Sequence, residues 1–106
     1  MMKTIRSQVV LAVVVSLASA VGFAQAAGEA TYKAKCQACH GATGTPSAGM
    51  VKAMAVKPVS DPEVKKLTVD EMIAITKTGK GKMKPVTGLT DAQLKDVVGY
   101  YRSLGK

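Results

Sequence analysis

Cys36-Gln37-Ala38-Cys39-His40 decides the fold, because it holds both cysteines and the single histidine of the chain. Residues three apart on a helix share a face, so both thiols can reach one edge of the same flat group. The C-x-x-C-H arrangement is typical of c-type haem attachment, in which the cysteines form thioethers with two vinyl groups and the imidazole binds iron. The motif therefore predicts one covalently bound haem c, attached through Cys36 and Cys39, with His40 as an iron ligand.

Other uses of two neighbouring cysteines fit the sequence less well. In an oxidising compartment they could form a disulfide or act as an oxidoreductase pair. An oxidoreductase pair usually lies between a strand and a helix, and no strand pattern precedes Cys36. A structural zinc site needs four ligands, whereas the chain has no third cysteine and no second histidine. Haem attachment is the interpretation that uses all three side chains.

A second iron ligand is sought among the methionines, which outside the first few residues are Met50, Met54, Met72 and Met83. Met72 lies on the apolar side of a capped helix, where methionine commonly fills a core. Met50 and Met54 are four apart on a weakly marked helix, and core packing is favoured for them too. Met83 lies between two lysines in a glycine-rich loop whose backbone can approach a flat surface closely. We therefore expect Met83 to be the distal ligand, in preference to Met50, Met54 or an open position.

The first quarter of the chain has the pattern of a secretory signal peptide. Lys3 and Arg6 precede the apolar run from Val9 to Val21, and Ala24-Gln25-Ala26 is a small-x-small cleavage signature. A retained membrane anchor is the alternative, but Val9 to Ala24 is only 16 residues, shorter than the roughly 20 that span a bilayer. The sequence predicts a signal peptide over 1–26, cleavage, and export to the periplasm of a single domain over 27–106 that no longer enters a membrane.

The composition of the predicted mature chain indicates that it needs a cofactor in its core. Residues 27–106 contain three tyrosines but no Phe or Trp. Eighty residues bury a modest share of their surface and usually require a disulfide, metal or cofactor. The same residues carry 13 basic and 7 acidic side chains, a net charge of +6.

Helical patterns follow one another, and no period-2 strand pattern is convincing, so the predicted class is all-α. Two segments begin with capping-box spacing, Thr68-Val69-Asp70-Glu71 and Thr90-Asp91-Ala92-Gln93. The predicted helices are 29–40, a weak one at 50–56, a brief one after Asp61 through Leu67, one from Thr68 to Gly79, and an amphipathic one after Thr90. Residues 79–88 are predicted to form a loop.

The mature part resembles the class I c-type cytochromes, and specifically the small bacterial monohaem kind. The resemblance rests on Cys36 to Gly41, on Gly79-Lys80-Gly81-Lys82-Met83, and on Leu89 to Leu94 leading into Val98 to Leu104. It implies the cytochrome c fold, with three to five helices around one haem. It also implies that the first and last helices cross where Gly28 and Tyr32 meet Tyr100. Pro46 is the candidate whose carbonyl accepts the second ring N–H of His40.

Two axial ligands leave iron no vacancy for a substrate, so the sequence predicts a one-electron carrier and not an enzyme. A haem sensor or peroxidase-like enzyme with an open or displaceable distal position is the alternative, as is a cytochrome subunit of a larger oxidoreductase. Five lysines lie near the expected haem edge and could steer redox protein partners with acidic docking surfaces, although a plain solvated surface explains them equally well. They are Lys33, Lys35, Lys80, Lys82 and Lys84. Nucleic acid is excluded as a partner because the domain is exported and lacks a stacking platform.

Overall fold

The computed structural model describes residues 22–106, so most of the predicted signal peptide lies outside the described residues. Six helical segments follow one another, and the only strand-like feature among residues 22–106 is an isolated bridge between Lys80 and Met83. The predicted all-α class is confirmed. None of the helices in this part of the chain is long and apolar enough to cross a membrane. The helices are α1 (22–35), α2 (Gln37–His40), α3 (Ala48–Met54), α4 (Pro62–Lys65), α5 (Val69–Thr78) and α6 (Asp91–Ser103).

The first predicted helix is divided at Cys36, which brings the helix number to six instead of the expected three to five. Cys36 has φ −121° and ψ −36° and serves as the N-cap of α2, so its backbone leaves the helical path. Gly41 ends α2 with φ 81°, a conformation that glycine adopts without steric cost. The attachment motif therefore occupies a separate single turn and does not continue α1.

The two capping boxes form as predicted. The Thr68 and Thr90 hydroxyls accept the backbone N–H groups of Glu71 and Gln93, whose side chains accept the threonine N–H groups in return. Each box satisfies two backbone donors that a helix start leaves without an internal partner. These contacts fix where α5 and α6 begin.

The two short helices differ from their predicted bounds. α3 begins at Ala48, two residues before the predicted start, because the Ser47 hydroxyl caps it by accepting the N–H of Met50 at 3.3 Å. Asp61 caps α4 as predicted, but that helix ends at Lys65 and not at Leu67. The Ser47 cap was the sequence signal that would have placed α3 correctly.

The core is small and is formed where α1, α5 and α6 meet. Tyr32, Met72, Val97 and Val98 form its buried cluster. The prediction that Met72 fills the core is confirmed, since it is 7% exposed. Met50 and Met54 are only half-buried and lie outside this cluster, so the packing role expected for them is not found.

α1 and α6 touch where a glycine allows their backbones to approach. A Cβ atom at Gly28 would lie 2.3 Å from the Asp96 carbonyl oxygen and 3.0 Å from the Tyr100 Cβ. The rings of Tyr32 and Tyr100 pack beside this point, with centroids 5.3 Å apart. The expected meeting of Gly28 and Tyr32 with Tyr100 is confirmed, and it fixes the end of α1 that leads into the cysteine motif.

Candidate functional site

The attachment segment is held to α1 by backbone hydrogen bonds. The Cys36 N–H donates to the Tyr32 carbonyl at 2.9 Å, and the His40 N–H donates to the Cys36 carbonyl at 3.0 Å. Cys36 and Cys39 are both half-buried and unbridged. The turn after them packs tightly, since a Cβ at Gly41 would lie 2.1 Å from the Thr45 carbonyl oxygen. Both thiols and the imidazole are thus presented from one short, well-anchored turn.

His40 is half-buried, but its Nδ1 atom is fully buried and has no hydrogen-bond partner among the described residues. Burial lowers the pKa of this imidazole below its ordinary value, because the charged form loses hydration. The ring therefore stays neutral at physiological pH and keeps a lone pair, which a metal ligand requires. The edge of the ring packs against Tyr101, with centroids 5.4 Å apart.

The expected hydrogen bond from His40 to Pro46 is not present. Pro46 is buried, and its loop turns back on Gly41, but Nδ1 finds no acceptor there or elsewhere in residues 22–106. The loop is instead organised by its backbone, with the Gly44 N–H donating to the Gly41 carbonyl at 3.2 Å. The contact that the resemblance implied is therefore not found.

Tyr32 links the helix crossing to the residue that follows His40. Its hydroxyl donates to the Gly41 carbonyl at 2.5 Å, and its ring stacks on Tyr101 with centroids 6.1 Å apart. Tyr32 therefore touches both the backbone beyond the imidazole and the ring that packs against it. Part of this arrangement is visible in the sequence, because Tyr32 precedes Cys36 by one helical turn and Tyr101 lies on the apolar face of α6. Spacing alone does not predict the hydroxyl bond.

Met83 lies in the predicted loop between α5 and α6. Lys80 and Met83 exchange two backbone hydrogen bonds, of 3.1 and 3.0 Å, which close a tight turn. The Val86 N–H donates to the Thr76 carbonyl at 2.8 Å and fastens the far side of the loop to α5. The Met83 side chain is half-buried at the end of this turn. The loop thus holds a thioether sulfur on a defined backbone.

The residues fit a covalently attached haem. Two unbridged thiols stand three residues apart, and the neighbouring imidazole has a buried nitrogen that no group of the described protein satisfies. Burial, and secondarily the nearby Cys39, raises the pKa of the Cys36 thiol. Within residues 22–106, no group of three or more His, Cys, Asp or Glu side chains is gathered as a metal site. Imidazole and thioether are the donor types found as axial ligands of low-spin haem iron.

The lysines expected near the haem edge differ in their surroundings. Lys33 pairs with Glu29 at 2.9 Å, so its charge is locally balanced. Lys35, Lys80, Lys82 and Lys84 are exposed and have no acidic side chain within 4.0 Å in the described part of the chain. Three of these four belong to the loop that carries Met83.

The chain matches a known protein family over most of its length. Residues 23–100 match the family described as cytochrome c oxidase, cbb3-type, subunit III. The matched range includes the attachment motif, the Met83 loop and most of α6. No curated protein and no solved structure matched the chain.

Proposed function

This chain belongs to the family of cytochrome c oxidase, cbb3-type, subunit III, and from that membership we propose that it is an exported one-electron carrier with His40 and Met83 as axial ligands. As a cytochrome c domain it is a haem protein of electron transfer with covalently bound c-type haem. The bound haem supplies an iron that alternates between Fe(II) and Fe(III). The protein attaches that group through Cys36 and Cys39 and restricts its surroundings.

The observation that carries the proposal is the single turn that presents both thiols and a neutral, half-buried imidazole. Its anchoring to Tyr32 and to the 41–46 turn limits how far His40 can move when the iron changes charge. A small rearrangement on oxidation is what a carrier requires. The test is covalent retention: after denaturation the haem should stay with the wild-type chain, and it should separate from a Cys36→Ala/Cys39→Ala variant. A wild-type chain that released its pigment would contradict haem attachment.

Met83 as the sixth ligand is supported by its defined turn and half-buried side chain. Replacing Met83 with Ala should open the distal position, so the reduced variant should bind carbon monoxide readily while wild-type protein resists it. Met54→Ala is the matched control, because Met54 is also a half-buried methionine but lies at the end of α3. Rapid carbon monoxide binding by unmodified protein would favour the sensor or peroxidase-like alternative.

Cleavage after Ala26 is compatible with the packing of α1. Residues 22–27 are exposed, whereas Gly28 is buried against α6. Removing 1–26 would therefore shorten α1 but leave its contact with α6 at Gly28 in place. Among the described residues, the side-chain hydrogen bond that is lost is the exposed one of 3.5 Å between Gln25 and Ser103. The intact mass of material from the periplasm should correspond to 27–106 plus one haem. A mass that retains the first 26 residues would instead support a membrane anchor.

Lys35, Lys80, Lys82 and Lys84 form the surface proposed to dock acidic redox partners. Because these charges are not balanced locally, they can steer a partner at low ionic strength, where screening is weak. The rate of electron exchange with an acidic partner should fall as salt increases. Lys84→Glu should lower the rate and flatten this dependence, more so than Lys95→Glu, which makes the same charge change on α6. Equal effects of the two variants would contradict a localised docking surface.

A second candidate function is a subunit that relays electrons inside a larger oxidoreductase, which the family match itself favours. The same haem site and the same exposed lysines would serve a permanent neighbour. Purification from native membranes and periplasm separates the two: a free carrier elutes at the size of the single domain, whereas a subunit elutes with its complex.

A further inference from the structure

The loop that carries Met83 is joined to a distant part of the chain by one side chain. The Lys82 Nζ atom donates to the Ala53 carbonyl oxygen at 3.2 Å. We propose that Lys82 is a positioning residue that fastens the Met83 loop to α3 and thereby resists the loss of Met83 from iron. The proposal rests on Met83 being the distal ligand.

The other hydrogen bonds of this loop do not hold it to α3. The bonds between Lys80 and Met83 close the turn on itself, and the bond from Val86 to Thr76 ties the loop to the helix that precedes it. All of them can persist while the turn moves as a unit. Among residues 22–106, the bond from Lys82 is the one hydrogen bond between the 79–88 loop and a segment remote in sequence.

The acceptor belongs to the segment that follows His40. From Gly41 the chain turns through a buried Pro46 to Ser47, which caps α3. The carbonyl of Ala53 is one of the last four of that helix, which have no partner inside the helix. A lysine ammonium group satisfies it, and cations are favoured near helix C-termini. Lys82, which precedes Met83, is therefore hydrogen-bonded to the segment that follows His40. One side chain thus connects the two segments that carry the expected axial ligands.

This connection bears directly on ligand exchange. With haem bound and Met83 as its distal ligand, an external base would replace Met83 when the turn moves and carries the sulfur away from the iron. If that movement also separates Lys82 from Ala53, the open state lacks a hydrogen bond that the closed state has. Deleting the bond should favour the open state about fivefold, the factor that corresponds to a typical net hydrogen bond.

Lys84 provides a matched control, because Lys82 and Lys84 flank Met83 on either side and both are exposed. Removing either one deletes the same charge at the same distance along the chain, but only Lys82 reaches α3. Imidazole is the probe, because the neutral molecule is insensitive to the change in net charge. Its binding to the oxidised holoprotein is followed by loss of the weak long-wavelength absorption band of a methionine-ligated ferric haem.

The expected result is that Lys82→Ala binds imidazole about fivefold more tightly than wild type, while Lys84→Ala matches wild type and Lys82→Arg recovers most of the difference. Equal affinities in Lys82→Ala and wild type would overturn the proposal, and so would equal gains in Lys82→Ala and Lys84→Ala. Failure of the underlying ligand assignment is recognised separately, because the methionine band would then be absent from wild-type protein or would persist in Met83→Ala, and Met83→Ala would bind imidazole no better than wild type. Circular dichroism melts confirm that each variant is folded.

Discussion

Replacing Tyr32 with Phe removes one hydroxyl from the centre of the site. Tyr32 is 1% exposed, and its hydroxyl donates to the Gly41 carbonyl. That carbonyl also accepts the Gly44 N–H, so the variant leaves no acceptor without a partner. The cost should be that of a net hydrogen bond, about 1 kcal/mol, and not the larger cost of stranding a buried polar group.

The same substitution should change how stability depends on pH. Burial, followed by the charges of Tyr101, Cys36 and Tyr100, raises the pKa of Tyr32 above its usual value. Burial is the largest cause and persists after Cys36 has formed a thioether. A phenol whose pKa is raised by folding stabilises the protein fully below the pKa of the unfolded chain, about 10. That contribution is lost at about 1.4 kcal/mol per pH unit above it, since the unfolded state then releases the proton first.

The loss of the hydrogen bond lowers the stability of Tyr32→Phe relative to wild type, whereas wild type alone loses stability above the pKa of the unfolded phenol. The difference in stability between the two proteins therefore changes with pH. Tyr32→Phe should be less stable than wild type by about 1 kcal/mol from pH 7 to 9, and the difference should vanish near pH 11 (about one unit above the unfolded pKa). Urea unfolding of the holoprotein, followed by far-ultraviolet circular dichroism across this range, measures it. The control is Tyr100→Phe, because the Tyr100 hydroxyl makes no hydrogen bond in the described part of the chain. A Tyr32→Phe curve parallel to wild type up to pH 11 would refute the reasoning.

Three further results are expected. Gly28→Ala should destabilise the fold by about 1–3 kcal/mol, the cost of overpacking, because its methyl would overlap the Asp96 carbonyl oxygen. The control, Gly99→Ala, has open space at its Cβ position and should not destabilise the fold. Equal urea midpoints for the two variants would contradict this. Thr90→Ala should cost about 1 kcal/mol by the same assay and Thr90→Ser much less, since serine restores the cap. Amide hydrogen exchange should be faster across 79–88 than in the centre of α6; similar protection would disprove the view that the loop opens locally.

Local signals were sufficient for most of the fold. The capping boxes at Thr68 and Thr90 fixed the two helices that pack together, because each depends on residues only three apart. Gly28 and Tyr32 were also matched with Tyr100 correctly, although this came from the family resemblance and not from the spacing alone. The division at Cys36 was missed, since the residues on both sides of it favour helix and nothing in their types marks the change of backbone angle.

Contacts between remote segments were harder to predict. The motif predicts the role of His40, but the neighbours of its ring depend on how α6 and the 41–46 turn pack, and the expected bond to Pro46 is absent. The bond from Lys82 to Ala53 joins residues 29 positions apart and involves a backbone acceptor, which has no sequence signature. The sequence shows a charged lysine on each side of Met83. Only the structure shows which of these two lysines makes a contact.

The expected axial ligands are supported in different ways, and this difference has a functional consequence. His40 follows a turn that is bonded to α1, packs against Tyr101 and is flanked by a carbonyl that Tyr32 holds. Its position therefore depends on contacts with α1 and α6. Met83 lies in a self-contained turn that is held by the bond from Val86 to Thr76 on its far side and by one exposed lysine contact. If Met83 and His40 are the axial ligands, Met83 should therefore be displaced more easily than His40, and its displacement should not require unfolding of the domain.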